Sequence, residues 1–237
     1  MRLLLLLVTV LLTGCSLFSS SSQNVANDAQ WQRYQTVASD ETGWLIFGDQ
    51  NRSNVGLVFY PGGKVSPEAY GQLANTLANK LNVLVVIVPM PLDLAVFGSK
   101  RGTNVQTYFS TIDTWIIGGH SLGGTMAANL AYSHPDDWQG LLLLASYPQD
   151  KHDFSDRSIK AISIIGDQDG LISQQRWRQS LSLLPDDAVT TVIQGGNHAG
   201  FGTYGVQSGD SVASISQAEQ REQTVQAIEL WFKAFKY

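Results

Sequence analysis

The chain has 237 residues, 43% hydrophobic and only 15% charged, with 15 basic against 20 acidic side chains and a formal net charge of −5. This balance excludes a broad cationic footprint for nucleic acid and the polar, charge-rich make-up of a disordered chain. A single cysteine excludes an internal disulfide and a multi-cysteine zinc or iron–sulfur centre, so stability rests on a packed core.

At the start of the chain, Arg2 precedes an apolar run from Leu3 to Leu12, followed by Thr13-Gly14-Cys15. The run is too short to span a bilayer and has the make-up of an export signal. Leu12-Thr13-Gly14-Cys15 resembles the lipobox of bacterial lipoproteins, which implies cleavage before Cys15 and lipidation of its sulfur as a membrane anchor. An ordinary signal peptide with a chance cysteine is the alternative. Residues 1–14 are accordingly expected to be a lipoprotein signal peptide, residues 15–30 the lipidated cysteine and a flexible Ser-, Asn- and Gln-rich tether, and residues 31–237 the folded domain. The resemblance implies a bacterial cell envelope location, with the outer membrane favoured by Ser16 where the cell has one.

From Trp31 onward short apolar runs alternate with helical patterns. The runs are residues 44–47, 55–60, 83–88, 115–117, 141–145, 161–165 and 189–193, rich in Val, Ile and Leu and bounded by turn residues. Continuous rather than alternating apolarity suits strands buried on both faces of a mostly parallel sheet. Ser66-Pro67-Glu68 reads as a helix start before Tyr70, Leu73, Ala74, Leu77 and Leu81. Residues 94–110 are expected to be helical despite Gly98 and Gly102, Ser173 precedes a further helix with Trp177, Leu181 and Leu184, and Ser216 with Glu219 forms a capping box ahead of Val225, Ile228, Phe232 and Phe235. No repeat or second core is visible, so one doubly wound α/β domain with helices on both faces accounts for the stretch.

Gly119-His120-Ser121-Leu122-Gly123 follows the fourth run and opens a helix of small and apolar residues. A serine on so sharp a strand-to-helix turn projects its hydroxyl above the sheet edge, with the helix's positive end aimed at the same point. Serine is a weak nucleophile and needs a base and an orienting acid, which for this turn follow in that chain order as acid, then histidine. His198, in the glycine-rich loop after the last strand, is the candidate base; His120, His134 and His152 read as capping or surface residues. Asp169, in Gly166-Asp167-Gln168-Asp169-Gly170, is the preferred acid, with Asp167 as a turn former or the alternative acid, and Asp150 and Asp153 as outside candidates. Leu122 and Gly63 are the expected backbone donors of an oxyanion hole, with Gly62 and Lys64 as alternates in the Pro61-Gly62-Gly63-Lys64 turn. Histidines and acids show no metal-ligand spacing, and neither a metal nor a cofactor is expected.

With these residues the chain resembles an α/β-hydrolase, with Ser121, Asp169 and His198 at the family's triad positions. More narrowly it resembles a compact bacterial subgroup near the dienelactone hydrolases through residues 59–65, 88–97, 118–124 and 197–202 with Tyr204-Gly205. It departs from those enzymes in carrying Ser121 where they use cysteine, and in Pro61-Gly62 where the family has histidine-glycine. Many relatives insert a lid between two late strands; here that connection, Ser146 to Ser158, is short and polar, so no lid is expected. The loop at residues 89–97 and the aromatics Tyr147, Phe201 and Tyr204 would then wall a modest acyl site, or serve as packing. The expected activity is hydrolysis of a small carboxylic ester through an acyl-enzyme. Acyl transfer or amide hydrolysis by the same triad, or a non-catalytic binding lipoprotein, are the alternatives. The expected partners are the ester and a membrane holding the Cys15 anchor.

Overall fold

The computed structural model describes residues 43–235. The export signal, Cys15 and the tether expected at residues 1–30 lie outside the described residues. Seven strands, β1 (Leu45–Phe47), β2 (Val55–Tyr60), β3 (Leu84–Ile87), β4 (Thr114–His120), β5 (Gly140–Leu144), β6 (Lys160–Gly166) and β7 (Val189–Ile193), form one sheet in the order β1-β3-β2-β4-β5-β6-β7. Only β1 runs antiparallel to its neighbour, pairing Leu45 with Ile87 at the sheet's edge. The remaining pairs are parallel, with Val58 opposite Ile117 and Ile117 opposite Leu141 at the centre.

The continuous apolar runs become strands with two buried faces. Leu57 and Phe59, Val85 and Ile87, Leu142 and Leu144, and Ile162 and Ile164 face one core. That core is closed by helices α1 (Gly71–Leu81) and α5 (Gln217–Phe232). The intervening Val58 and Tyr60, Leu84 and Val86, and Leu141 and Leu143 face a second core closed by α3 (Leu122–Ser133) with Val105 of α2 (Arg101–Tyr108). Strand alternation therefore divides one run of apolar residues between two cores. Strand β7 carries Thr190 and Thr191 and is open at the sheet's other edge, which matches its exposed residues. Helix α4 (Gln174–Ser180) seats Trp177, whose indole N–H donates to Ser163 Oγ at 2.8 Å and satisfies both buried groups.

Helix ends follow the expected caps at two of three places. Ser173 Oγ accepts from Arg176 N, and Ser216 with Glu219 forms the reciprocal capping box of α5. At Ser66 the expectation needs correction: residues Pro67–Tyr70 form a 3₁₀ turn, and the Ser66 hydroxyl donates to the Glu68 carboxylate instead of receiving a backbone N–H. Helix α1 itself starts at Gly71 and ends at Asn82, which adopts the left-handed conformation at φ 55°. Residues 94–110 are likewise not one helix. Ala95–Phe97 is a 3₁₀ turn closed at Gly98, and α2 begins only at Arg101. Gly102 is tolerated inside α2 because the Tyr60 hydroxyl sits where its side chain would be and accepts its N–H at 2.8 Å. The β5–β6 connection, residues 145–159, contains neither helix nor strand, so no lid lies between these strands.

Candidate active site

The carboxyl ends of β2, β4, β6 and β7 bring four turns to one edge of the sheet. Ser121 lies between β4 and α3 with φ 51° and ψ −124°, a conformation that L residues avoid. Its N–H donates to Leu144 O at 3.0 Å, and the Thr125 N–H returns to Ser121 O, which pin the turn to β5 and to the helix. The flanking glycines are required by close approach. A Cβ on Gly123 would fall on the carbonyl oxygens of Tyr60 and Pro61, and one on Gly119 would meet Tyr60 O and the backbone of Gly123 and Gly124. Backbone strain concentrates along this edge: among the described residues five of the six non-glycine residues with positive φ, Lys64, Leu92, Asp93, Ser121 and Ala145, follow the carboxyl ends of β2 to β5.

His198 and Asp169 meet along the same edge, where the turns after β6 and β7 come together. His198 Nδ1 lies 2.9 Å from Asp169 Oδ2, with side chains 1% and 0% exposed. A carboxylate only accepts, so Nδ1 carries a proton, and in the neutral imidazole Nε2 holds the lone pair. That Nε2 is buried and has no hydrogen-bond partner among the described residues, the Ser121 hydroxyl included. Asp169 is fixed in turn by its other oxygen, which accepts the N–H groups of Leu171 at 2.9 Å and Ile172 at 2.7 Å. Asp167 instead accepts Gly195 N–H at 2.7 Å and ties the β6 turn to the loop after β7. Asp150 pairs with Arg176, and Asp153 accepts Ser155 N–H, so neither turns toward His198.

The turn after β2 distinguishes the three candidate oxyanion donors. Gly62 N–H donates to the Tyr70 hydroxyl at 3.0 Å and Lys64 N–H to Asp93 O at 2.8 Å. Gly63 N–H has no partner among the described residues, and Gly63 packs against Leu122, whose side chain would lie 3.1 Å from a Cβ there. Leu122 opens α3, where the first N–H groups have no intrahelical acceptor.

His120 differs from the sequence expectation of a capping or surface residue. It is 1% exposed, with Nδ1 2.8 Å from the Tyr70 hydroxyl and Nε2 3.1 Å from His198 O. The carbonyl only accepts, so Nε2 carries the proton and Nδ1 receives the Tyr70 O–H. Burial first, and the neighbouring His198 second, hold His120 well below the usual imidazole range, while burial holds the Tyr70 phenol well above its ordinary value. Gly62 N–H, Tyr70 O–H and His120 N–H thus form a directed chain ending on the backbone of His198. His134 ends α3 half-buried, and His152 bonds Asn129 at 2.6 Å and stacks on Tyr132. The three expected wall residues divide. Phe201 is 4% exposed within the α1–α5 core, Tyr204 is half-buried with its hydroxyl donating to Gln207, and Tyr147 lies under the Arg176 guanidinium at 4.9 Å. Gln220 of α5, which no sequence pattern singled out, is buried and grips Asn197 by both backbone groups, accepting its N–H at 3.1 Å and donating to its carbonyl at 2.8 Å.

Comparison with known proteins agrees with this architecture. No curated protein matches the chain in sequence. Among solved structures it is similar to Est1E from Butyrivibrio proteoclasticus, determined with ferulic acid bound, at TM-score 0.61 and 11% identity over 80% of this chain and 95% of that one. An alpha/beta hydrolase enzyme from the metagenome of sediments of the Mar Chica lagoon, Morocco, gives TM-score 0.61 at 14% identity over 82% and 95% of the two chains. A thermophilic esterase from Thermogutta terrifontis gives TM-score 0.59 at 12% identity over 85% and 97%. At such identities the likeness is one of fold. The family model, by contrast, matches residues 56–222, more than half of the sequence and every turn described above. The chain belongs to the alpha/beta hydrolase family.

Proposed function

We propose that the protein is a serine hydrolase that cleaves a small carboxylic ester through an acyl-enzyme. The observation that carries this reading is the buried His198–Asp169 pair at 2.9 Å, with the His198 Nε2 lone pair unbonded beyond the strained Ser121 turn. In this reading Ser121 Oγ attacks the ester carbonyl carbon as its proton passes to His198 Nε2, and Asp169 stabilises the imidazolium. The carbonyl oxygen, now negative, accepts from the N–H groups of Gly63 and Leu122. Collapse expels the alcohol, which takes the proton from His198. Water then attacks the acyl-enzyme, its proton passes to His198 and on to Ser121, and the acid leaves. A thermophilic esterase and lipolytic enzymes among the structures of similar fold support an ester over other acyl compounds, and the short β5–β6 connection supports a compact substrate. The resemblance to the dienelactone hydrolase subgroup remains part of this reading, with serine chemistry in place of thiolate. We also propose that Cys15 is lipidated after export and tethers the domain to the bacterial envelope; mass spectrometry of the mature N-terminus tests this.

The test of the chemistry is labelling with a fluorophosphonate probe together with turnover of a panel of chromogenic esters. Ser121→Ala abolishes labelling and lowers turnover by about 10⁶-fold. Asp169→Asn lowers turnover by about 10⁴-fold, as expected for loss of the partner that sets the histidine tautomer. Asp167→Asn, which alters only the bond to Gly195, stays within about tenfold of the wild type. Retained labelling in Ser121→Ala, or equal losses in the two aspartate variants, would overturn the assignment. Long-chain triglycerides cleaved far faster than acetate or butyrate esters would overturn the small-substrate reading.

A further inference from the structure

Asp210 lies in residues 206–216, a stretch without helix or strand that precedes α5. Its carboxylate gathers N–H groups from two separate turns. Oδ1 accepts from Gly170 at 3.0 Å, from His198 at 3.2 Å and from its neighbour Ser211 at 2.9 Å, and Oδ2 accepts from Ala199 at 2.8 Å. Gly170 directly follows Asp169, and His198 is the residue that Asp169 meets. One side chain therefore bonds both of the loops whose side chains form the pair, on the backbone next to each.

The seat is built from the other side as well. Gly170 has no Cβ, and one placed there would lie 2.5 Å from Ser211 N and 2.8 Å from Asp210 C and Gly209 O, so only bare backbone lets the acid turn reach this segment. Asn197, one residue before His198, donates to Ser211 O at 2.7 Å and accepts from Gly200 at 2.9 Å. The 209–211 segment is thus fastened to the acid turn by a glycine contact and to the histidine loop by an asparagine, with the Asp210 carboxylate between them.

We propose that Asp210 is a positioning residue that sets the separation and orientation of His198 and Asp169; this rests on the triad reading above. Hydrogen bonds to an ionised acceptor are about twice as strong as neutral ones, and three of them from Gly170, His198 and Ala199 on one carboxylate hold two loops more rigidly than loop backbone alone, with the fourth, from Ser211, fixing the carboxylate on its own segment. A misplacement of about 1 Å in a reacting constellation costs about 10²-fold in rate. Asp210→Asn is nearly isosteric but has a single acceptor oxygen. Its amide nitrogen must face either Ala199 N–H or the three N–H groups on the opposite side, so the cradle cannot be kept whole.

The test uses the full chain and compares wild type, Asp210→Asn and Asp210→Ala by steady-state ester hydrolysis and by the downfield proton NMR signal of the His198–Asp169 hydrogen bond, identified by its loss in Asp169→Asn. Asp210→Asn is expected to lower kcat by about 10²-fold with KM within about threefold, and to shift or broaden that signal. Asp210→Ala shows the larger loss. Ser216→Ala, which removes a cap of α5, lowers the melting temperature and leaves kcat and the signal unchanged, separating loss of stability from loss of position. Asp210→Asn with kcat within about twofold of wild type and an unmoved signal, or one that fails to fold, overturns the proposal. Turnover retained in Ser121→Ala overturns the triad reading instead, and a Ser121-dependent enzyme indifferent to Asp210→Asn overturns only the role of Asp210.

Discussion

Replacing Tyr70 by Phe removes one oxygen atom and leaves the ring, which packs on Phe59 at 5.1 Å between centroids, in place. The oxygen sits between two groups that have no other partner among the described residues: Gly62 N–H, 3.0 Å away, and His120 Nδ1, 2.8 Å away. Both lie in a region closed to water, with Tyr70 and His120 each 1% exposed. A buried polar group left without a partner costs about 1–3 kcal/mol, so two orphaned groups set a loss of about 2–5 kcal/mol once some relaxation is allowed. In a domain of this size that corresponds to a fall in Tm of about 6–15 °C. Urea unfolding at neutral pH, followed by tryptophan fluorescence with the slope m held as a check on the unfolded state, reads the loss directly. A second arm tests its origin. In a His120→Ala background only Gly62 N–H is orphaned by the change, so Tyr70→Phe costs about half as much, and the coupling appears in the double-mutant cycle. A loss below about 1 kcal/mol, or the same loss in both backgrounds, would refute the reasoning that this hydroxyl serves two buried partners.

Acid sensitivity follows from His120. Its folded pKa is depressed by burial below the ordinary 6.5, so in the window beneath 6.5 the unfolded chain binds the proton and the folded chain does not. Stability is therefore full above that value and falls as pH drops, by about 1.4 kcal/mol per pH unit. Urea midpoints at pH 7.5, 6.5 and 5.5 measure the slope; His120→Asn shows a shallower one, and a flat wild-type profile would contradict a His120 that burial keeps neutral in the folded chain. Gly123→Ala drives a methyl group into the carbonyl oxygens of Tyr60 and Pro61, both backbone atoms that cannot swing aside. The expected loss is about 3 kcal/mol or more, read as a drop in Tm, and a variant as stable as wild type would show that the turn can open.

The inner strands are legible because each is a Val-, Ile- and Leu-rich run closed by a turn residue, and burial on both faces demands that composition; edge strand β7, largely unburied, is legible through its β-branched residues instead. The 3₁₀ turn at Pro67–Tyr70 was not, since Ser66, Pro67 and Glu68 suit an α-helical start equally well and the choice between i+3 and i+4 bonding is made by packing. Ser121 and His198 stood out through glycine spacing and chain order. Asp169 was preferred over Asp167 by depth in the turn alone, and the two are separated in the structure by which backbone N–H groups each receives. Tyr70, His120, Asp210 and Gln220 carried no such signal. Tyr70 and His120 are 50 residues apart in sequence, and Asp210 stands in a polar stretch that reads as plain loop. Their roles arise from contacts made only after the sheet has assembled, which local periodicity cannot encode.

Ser121 holds a backbone conformation that glycine would occupy without penalty, at a cost of about 1–3 kcal/mol to the folded chain. Under selection for thermal resistance alone, glycine is the residue this position favours, and serine is retained only while its hydroxyl contributes to fitness. A library screened first for heat tolerance and then for turnover would consequently enrich opposite residues at position 121, which makes that one codon a record of whether the lineage has been kept for chemistry or merely for a durable fold.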